Sequence, residues 1–542
     1  MSPEHLSPLD LAFWRIESAA HPMHLGALAV LSADGPDAAA RAAALLAERC
    51  AGLPGLRRRI HDVLLPVGAA AWSPDPDFDP ARHVFLTAAA AAASAAARTG
   101  ASAAADTAAA GAAAADAAAA AAGAAAAAGV DAAARAGAVA DDAGVGAGAG
   151  AARTGAGAAA RAGVGAAARA GAVADGGAGA AGAVDPRAAA GPLMARPLDR
   201  TRPPWEAHVL AGPGPDSFSV LFKFHHALAD GLGALALAAG LFDRQPPFAP
   251  GPAVRGPARP VPAPRGPGAA LRRLPGVFAS RVHDLGQALE IGAAVARAGL
   301  PLGVPDALVA AEPGPGAGAG SRSVAGLALD LDEVNLIRKA AGGTVNDVLI
   351  ALVAGALRRW LAERGDPLPR GAGPRALIPV SRRRPGAAPG AGNRLSGYLL
   401  RLPLAEDDPL RRLYAVRAGM DRNKEAGPAR GAGAVALLAD HVHPLGHRLG
   451  GPLVAHAARL LYDILVTSVP LPGLTFTLGG STVREVYPLA PLARGQSLAI
   501  AVSTYKGTVH YGLVADAAAV PDLAALAGAL RAELDAFVRE VS

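Results

Sequence analysis

The chain has 542 residues, 52% of them hydrophobic, with one cysteine and a net charge of +6. That length predicts two or more globular domains with a sizeable core, while a lone cysteine excludes an internal disulfide and a zinc site built from several thiolates. The positive charge comes from scattered arginines without a dense basic block or interleaved aromatics, which argues against nucleic acid as a partner and favours anionic headgroups or phosphate-bearing ligands.

The first thirty residues carry Glu4, Asp10, Arg15 and Glu17 and no continuous apolar stretch, so no signal peptide is expected. No run of eighteen strongly apolar residues predicts a transmembrane helix. A cytoplasmic chain fits both readings and the single cysteine, Cys50. Up to about Val84 the composition is globular, with Leu45, Leu56 and the VLLPV run Val63–Val67 as candidate core. From Ala88 to Pro192 there is no Leu, Ile, Met, Phe, Tyr or Trp, and AAARAGAVAD occurs twice, at Ala132–Asp141 and Ala166–Asp175. Such a segment has no apolar stripe to dock, and each interspersed glycine weakens helix by about 1 kcal/mol. Residues 88–192 are therefore expected to be a low-complexity Ala/Gly insertion, mostly disordered and supplying no core.

Order is expected to resume at PLDRTRPPWE, Pro197–Glu206. In Phe218–Phe224, Phe218, Val220, Phe222 and Phe224 alternate with Ser219, Leu221 and Lys223, which predicts a strand. Beyond HHALADG, His225–Gly231, the spacing of Leu232, Leu235, Ala239 and Phe242 predicts a helix. Residues 1–87 and 193–244 thus make a first domain, and a Pro/Gly-rich linker with a helical segment, Ala269–Leu300, spans 245–321. A second domain, 322–542, opens with the alternating Leu327, Leu329 and Leu331. Asp332 is a candidate helix cap and Gly342 a helix end. A second helix opens at Thr344–Asp347 with Val345, Leu349, Leu352, Ala356 and Trp360 on one face. Two strands around Lys506–Gly507 and a closing helix with Leu523, Leu526, Leu530, Leu534, Phe537 and Val541 complete it. Strands mixed with helices on both sides of the linker predict a pair of α/β domains.

Chemistry concentrates at the strand-to-helix junction. Successive side chains at a strand end point to opposite faces, so one of His225 and His226 can face a cleft while the other faces the fold. An imidazole titrates near neutral pH and suits general-base work. Asp230 can cap the following helix or pair with an arginine, and Gly231 permits close backbone approach. By themselves these residues fit a core histidine with a capping aspartate best, and a His/His/Asp metal site much less well. The histidines His441, His443 and His447 have loose spacing broken by Pro444, and read as surface or interdomain residues rather than a metal site.

HHxxxDG in this context resembles the active-site motif of the CoA-dependent acyltransferase superfamily. Several blocks narrow the resemblance to the wax ester synthase/diacylglycerol acyltransferase family: the opening LSPLDLAFWRIE with HPMHLGALAVL, PLDRTRPPWE, GGTVNDVLIALVAGALRRWL, RALIPVSRR and GNRLSGYLLRLP. The likeness covers the chain except 88–192 and much of the linker. It departs at Ser468–Gly473, where the family commonly has an Asn-Val-Pro-Gly-Pro turn.

The resemblance implies two chloramphenicol-acetyltransferase-like α/β domains with mixed sheets and an active-site tunnel between them. It implies an O-acyltransferase in which His226 is the base, His225 and Asp230 shape the site, and Gly231, Asn346 and Asp347 contribute to its form. Trp205, Arg200 and Arg202 are expected to stabilise the fold nearby. The substrates implied are acyl-CoA with diacylglycerol or a fatty alcohol, without cofactor, metal or covalent acyl-enzyme. The place implied is the inner membrane face or a lipid-droplet surface. A small-acceptor acyltransferase of the same superfamily and a non-catalytic lipid-binding paralogue are the alternatives.

Overall fold

A computed structural model describes residues 4–88, 185–211, 216–229, 233, 237, 240–243, 304–310, 320–369, 371, 373–381, 395–426, 448, 461–471 and 473–542. All of these belong to one unit formed by residues 1–96 and 183–542. Its first half contains β1 (Glu4–His5), α1 (Pro8–Ile16), β2 (His24–Ser32), α2 (Ala38–Ala51), β3 (Arg58–Asp62), β4 (Ala70–Pro74) and β5 (Val84–Ala88). After the alanine-rich stretch come α3 (Pro186–Ala195), β6 (Trp205–Ala211) and β7 (Ser217–His225). The second half runs β8 (Arg322–Asp330), α4 (Leu331–Ala341), α5 (Val345–Arg364), β9 (Arg375–Ser381), β10 (Leu395–Arg401) and α6 (Pro409–Ala426). It continues with β11 (Ile464–Pro470), β12 (Thr477–Leu478), β13 (Ser481–Leu489), β14 (Leu498–Tyr505), β15 (Thr508–Asp516) and α7 (Leu523–Val541).

These strands form a sheet ordered β12-β13-β2-β7-β6-β5, a second ordered β10-β9-β11-β14-β15-β8, and a small sheet β1-β4-β3. Both large sheets are mixed: β5 runs parallel to β6, and β11 runs parallel to β9 and β14, amid antiparallel neighbours. The fold is therefore the expected α/β architecture with mixed sheets.

The alternation read in β7 decides which face meets which partner. Phe218, Val220 and Phe222 join Ala42, Leu46 and Cys50 of α2 in one apolar cluster, whereas Leu221 joins Leu28, Met194 and Leu489 on the opposite face. Strands β12 and β13 come from the second half of the chain yet extend the first sheet, Tyr487 pairing with Leu28. Close approach at this crossing requires a missing side chain, because a Cβ on Gly512 of β15 would lie 1.9 Å from the Pro488 carbonyl of β13.

In the second half, α5 is buried nearly all round, from Val348 to Leu361, between the sheet and α7. It opens with a capping box: the Thr344 hydroxyl accepts from the Asp347 amide and the Asp347 carboxylate accepts from the Thr344 amide. The hairpin at Lys506–Gly507 and the helix over 523–541 are as expected. The cap of α4 is Asp330 rather than Asp332, since the Asp330 side chain accepts from the Asp332 amide and so satisfies the first turn.

Two expectations about core are corrected. Residues 185–192 were assigned to the coreless insertion, but they enter α3, where Asp185 caps the helix and Ala189, Ala190 and Met194 are buried. Methyl groups suffice there because Gly191 lets the helix come against β8, where a Cβ would lie 2.3 Å from the Arg322 carbonyl. The VLLPV run is not core: Leu64, Leu65 and Val67 are 87%, 73% and 47% exposed, in the loop joining β3 to β4. The remainder of the insertion, the Pro-rich linker with Ala269–Leu300, and most of the helix expected after HHALADG lie outside the described residues. Among the described residues no single helix is long and apolar enough to cross a membrane.

Candidate active site

Strand β7 delivers His225 as its last residue, in register opposite His24 of β2. Two consecutive amides are then held by different segments. The His225 N–H donates to the Pro204 carbonyl at 2.9 Å, and the His226 N–H donates to the Met23 carbonyl at 2.9 Å. The rings diverge as strand geometry requires. His225 is fully buried with its ring edge-on to Trp14, centroids 5.0 Å apart, while His226 is half-buried and stacked on Phe13 at 3.9 Å with 16° between planes. Both aromatics come from α1, which Ser7 starts by accepting from the Asp10 amide and Pro8 preorganises at the first helical position.

The hydrogen bonds separate the chemical capacities of the two imidazoles. The Ala227 N–H donates to His225 Nδ1 at 2.9 Å, so that nitrogen is an acceptor and the ring proton sits on Nε2. His225 Nε2 lies 3.4 Å from the Glu17 carboxylate, whose other oxygen accepts the Met23 N–H at 3.0 Å. His225 in this tautomer therefore has no lone pair to offer a substrate. Burial by itself would raise the Glu17 pKa, but His225, the Met23 amide and Arg200 outweigh it and hold the carboxyl below its ordinary range. Arg200 closes this wall: its guanidinium lies over Trp14, Nη2 donates to the Trp14 carbonyl, and Nη1 is 3.9 Å from Glu17.

A polar row continues along the face that carries His225. Lys223, fully buried, donates to the Arg196 carbonyl and lies 3.7 Å from Glu206, which also accepts from His208 at 2.9 Å. Burial pushes the Lys223 ammonium down to about 8. For Glu206 burial acts upward, but His208, Lys223 and Arg196 bring it down to about 2. His24 is pushed well below its ordinary value by burial and then by Lys223, and its Nε2 lies 2.6 Å from the Met194 carbonyl. The row ties β2, β6 and β7 to the end of α3 and to PLDRTRPPWE.

Of the residues expected at the site, His225 and His226 stand together, whereas Asp230 and Gly231 lie outside the described residues, as do His441, His443 and His447. Asp347 is buried with its carboxylate engaged in the cap of α5, and Asn346 beside it is half-buried. Trp205 donates its indole N–H to the Leu56 carbonyl at 2.7 Å, and Arg202 pairs with Asp199 at 3.0 Å. No group of three or more His, Cys, Asp or Glu suited to a metal occurs among the described residues. Phe13, Trp14 and Glu17 were missed as individual residues. In the sequence Glu17 reads only as a charge that argues against a signal peptide, and the signal that marks it is a carboxylate just past a helix whose last turns hold two aromatics.

The comparisons with known proteins place the chain in a family. A family model described as the wax ester synthase/diacylglycerol acyltransferase catalytic domain matches residues 6–98 and 181–349, and the WS/DGAT C-terminal domain matches 391–537. The probable diacylglycerol O-acyltransferase tgs2 of Mycobacterium tuberculosis is 32% identical over 347 residues, 62% of this chain and 74% of the relative. Its counterpart tgs1 of the same organism is 30% identical over 364 residues, 65% and 74% of the two chains. The solved wax ester synthase/diacylglycerol acyltransferase of Marinobacter aquaeolei VT8 shares the fold over 100% of both chains, with a TM-score of 0.60 at 18% identity. A trichothecene 15-O-acetyltransferase from Fusarium sporotrichioides does so over 98% of this chain and 94% of its own, with a TM-score of 0.50 at 12% identity.

Proposed function

We propose that this chain, which belongs to the wax ester synthase/diacylglycerol acyltransferase family, transfers the acyl group of an acyl-CoA to the free hydroxyl of diacylglycerol with His226 as general base. CoA-dependent O-acyl transfer is the activity of the family; the acceptor and the base are the proposal. Diacylglycerol ranks above a long-chain alcohol because the Mycobacterium relatives bear its name.

The observation that carries the base assignment is the engagement of His225 Nδ1 by the Ala227 amide, which leaves the Nε2–H facing Glu17 at 3.4 Å, beside a half-buried His226 stacked on Phe13. In the reaction His226 takes the hydroxyl proton as the oxygen attacks the thioester carbonyl. The tetrahedral adduct collapses, the C–S bond breaks, and the departing CoA sulfur receives the proton from His226. A positioned base contributes about 10²–10⁴-fold, so alignment of the two substrates supplies much of the rest. An acyl-enzyme through the one cysteine is disfavoured: Cys50 is buried in α2, its thiol donates to the Ala47 carbonyl at 3.1 Å, and burial pushes it up to about 11.

Because both substrates are lipidic, the same reading has the chain work in the cytoplasm at the inner membrane face or a lipid-droplet surface. Support comes from the loop between β3 and β4, where Leu64, Leu65 and Val67 are exposed. Exposed apolar side chains suit an interfacial contact. Arg15 of α1 binds the base of that loop at Asp62, 2.8 Å, and at the Gly68 carbonyl, 3.0 Å. The test of the proposal is product analysis of the purified chain given acyl-CoA with each acceptor, beside its His226→Ala variant.

A further inference from the structure

We infer that Glu17 is a positioning residue for His226, holding it from both sides: one carboxylate oxygen accepts from a backbone amide and the other faces a ring N–H. The inference rests on His226 as the base. One oxygen of Glu17 accepts the Met23 N–H at 3.0 Å, and the carbonyl of that same residue accepts the His226 N–H at 2.9 Å. The other oxygen faces His225 Nε2 at 3.4 Å, and His225 is bonded in the chain to His226. Glu17 thus braces the residue that fixes the His226 backbone and the ring that precedes it.

The chemistry of the donors explains why a carboxylate is required. The Met23 amide is always a donor. His225 Nε2 is a donor because Ala227 occupies Nδ1, and reversing the ring's tautomer would set Nδ1–H against the Ala227 N–H. A glutamine offers one acceptor oxygen and an amino group, so one of the two donors would then face another donor in a buried setting. Aspartate keeps both oxygens but is one methylene short. Glu17 side-chain exposure is 5%, so water does not readily substitute for the missing acceptor. Its position follows from its place in the chain: Glu17 is the first residue past α1, extended at φ −62°, ψ 140°, where the helix end directs it back beneath the His pair.

The test compares wild type, Glu17→Gln, Glu17→Asp and His226→Ala in steady-state kinetics, with thermal unfolding as the fold control. Glu17→Gln is expected to lower kcat about tenfold or more with KM for acyl-CoA within about twofold, since displacement of a base by a fraction of an ångström acts on the chemical step. Glu17→Asp is expected to recover part of that loss, which a packing role alone would not produce. Folded Glu17→Gln with wild-type kcat, or folded Glu17→Asp no better than Glu17→Gln, overturns the inference. Ring nitrogen resonances of wild-type protein with labelled histidine, assigned by loss in His225→Gln, decide the matter even where the Glu17 variants fail to fold: an Nε2–H tautomer at His225 supports the inference and an Nδ1–H tautomer overturns it. Inactive His226→Ala beside fully active Glu17→Gln defeats this inference alone, whereas active His226→Ala defeats the base assignment on which it rests.

Discussion

Arg200 lies over the ring of Trp14 with its guanidinium carbon 3.6 Å from the centroid, and donates to the carbonyl of the same residue at 2.9 Å. One side chain therefore grips both the ring and the backbone of the last turn of α1, where a cation also complements the helix dipole. Because α1 carries Phe13 against His226 and leads into Glu17, the grip transmits to the site. Arg200→Ala is expected to cost about 1–2 kcal/mol of stability and to lower kcat. Arg200→Lys keeps the charge but loses the flat, forked geometry, so it should fall between the two. Thermal unfolding and kcat measured together check this, and a lysine variant indistinguishable from wild type would remove the clamp from the account.

The family match stops at residue 98 and resumes at 181, while α3 begins at Pro186 with Asp185 as its cap. Deleting residues 99–180 is expected to leave a folded enzyme with activity at or above that of the full chain. Extending the deletion to residue 195 removes Ala189, Ala190 and Met194 from beneath Leu28 and Leu221, and should abolish cooperative unfolding and activity together. Circular dichroism melting and ester formation distinguish the outcomes. An inactive, unfolded product of the shorter deletion would contradict the boundary.

Leu64 and Leu65 are exposed, so replacing both by aspartate removes no packed side chain and should change stability by no more than about 0.5 kcal/mol per site. The same change should reduce cosedimentation with anionic phospholipid vesicles while leaving hydrolysis-free acyl transfer to a short, soluble alcohol intact. Unchanged vesicle binding would count against this loop as the lipid contact.

Legibility in the sequence followed the range of the interactions. The alternation of Phe218, Val220 and Phe222, the capping chemistry at Thr344 and the Lys506–Gly507 turn are local, and each element formed where local rules place it. The VLLPV run misled because apolar composition does not say whether a partner surface exists, and none among the described residues covers Leu64 or Leu65. Helix α3 was hidden because alanine methyls count as core only where glycine allows close approach, a property of Arg322 and Gly191 jointly. HHALADG announced the histidines, and the RTRPPWE block announced Arg200. Glu17 stayed silent since its meaning depends on residues 17 and 23 meeting residues 200 and 225, which lie far along the chain.

The central claim is that His226, and not His225, moves the proton. Ester formation from acyl-CoA and diacylglycerol, followed by thin-layer chromatography of the lipid product and by release of free CoA thiol, tests it most directly in the His226→Ala variant. Wild type is expected to yield triacylglycerol, and His226→Ala, with an unchanged melting temperature, to lose about 10²–10⁴-fold in kcat. Wild-type turnover in folded His226→Ala would contradict it.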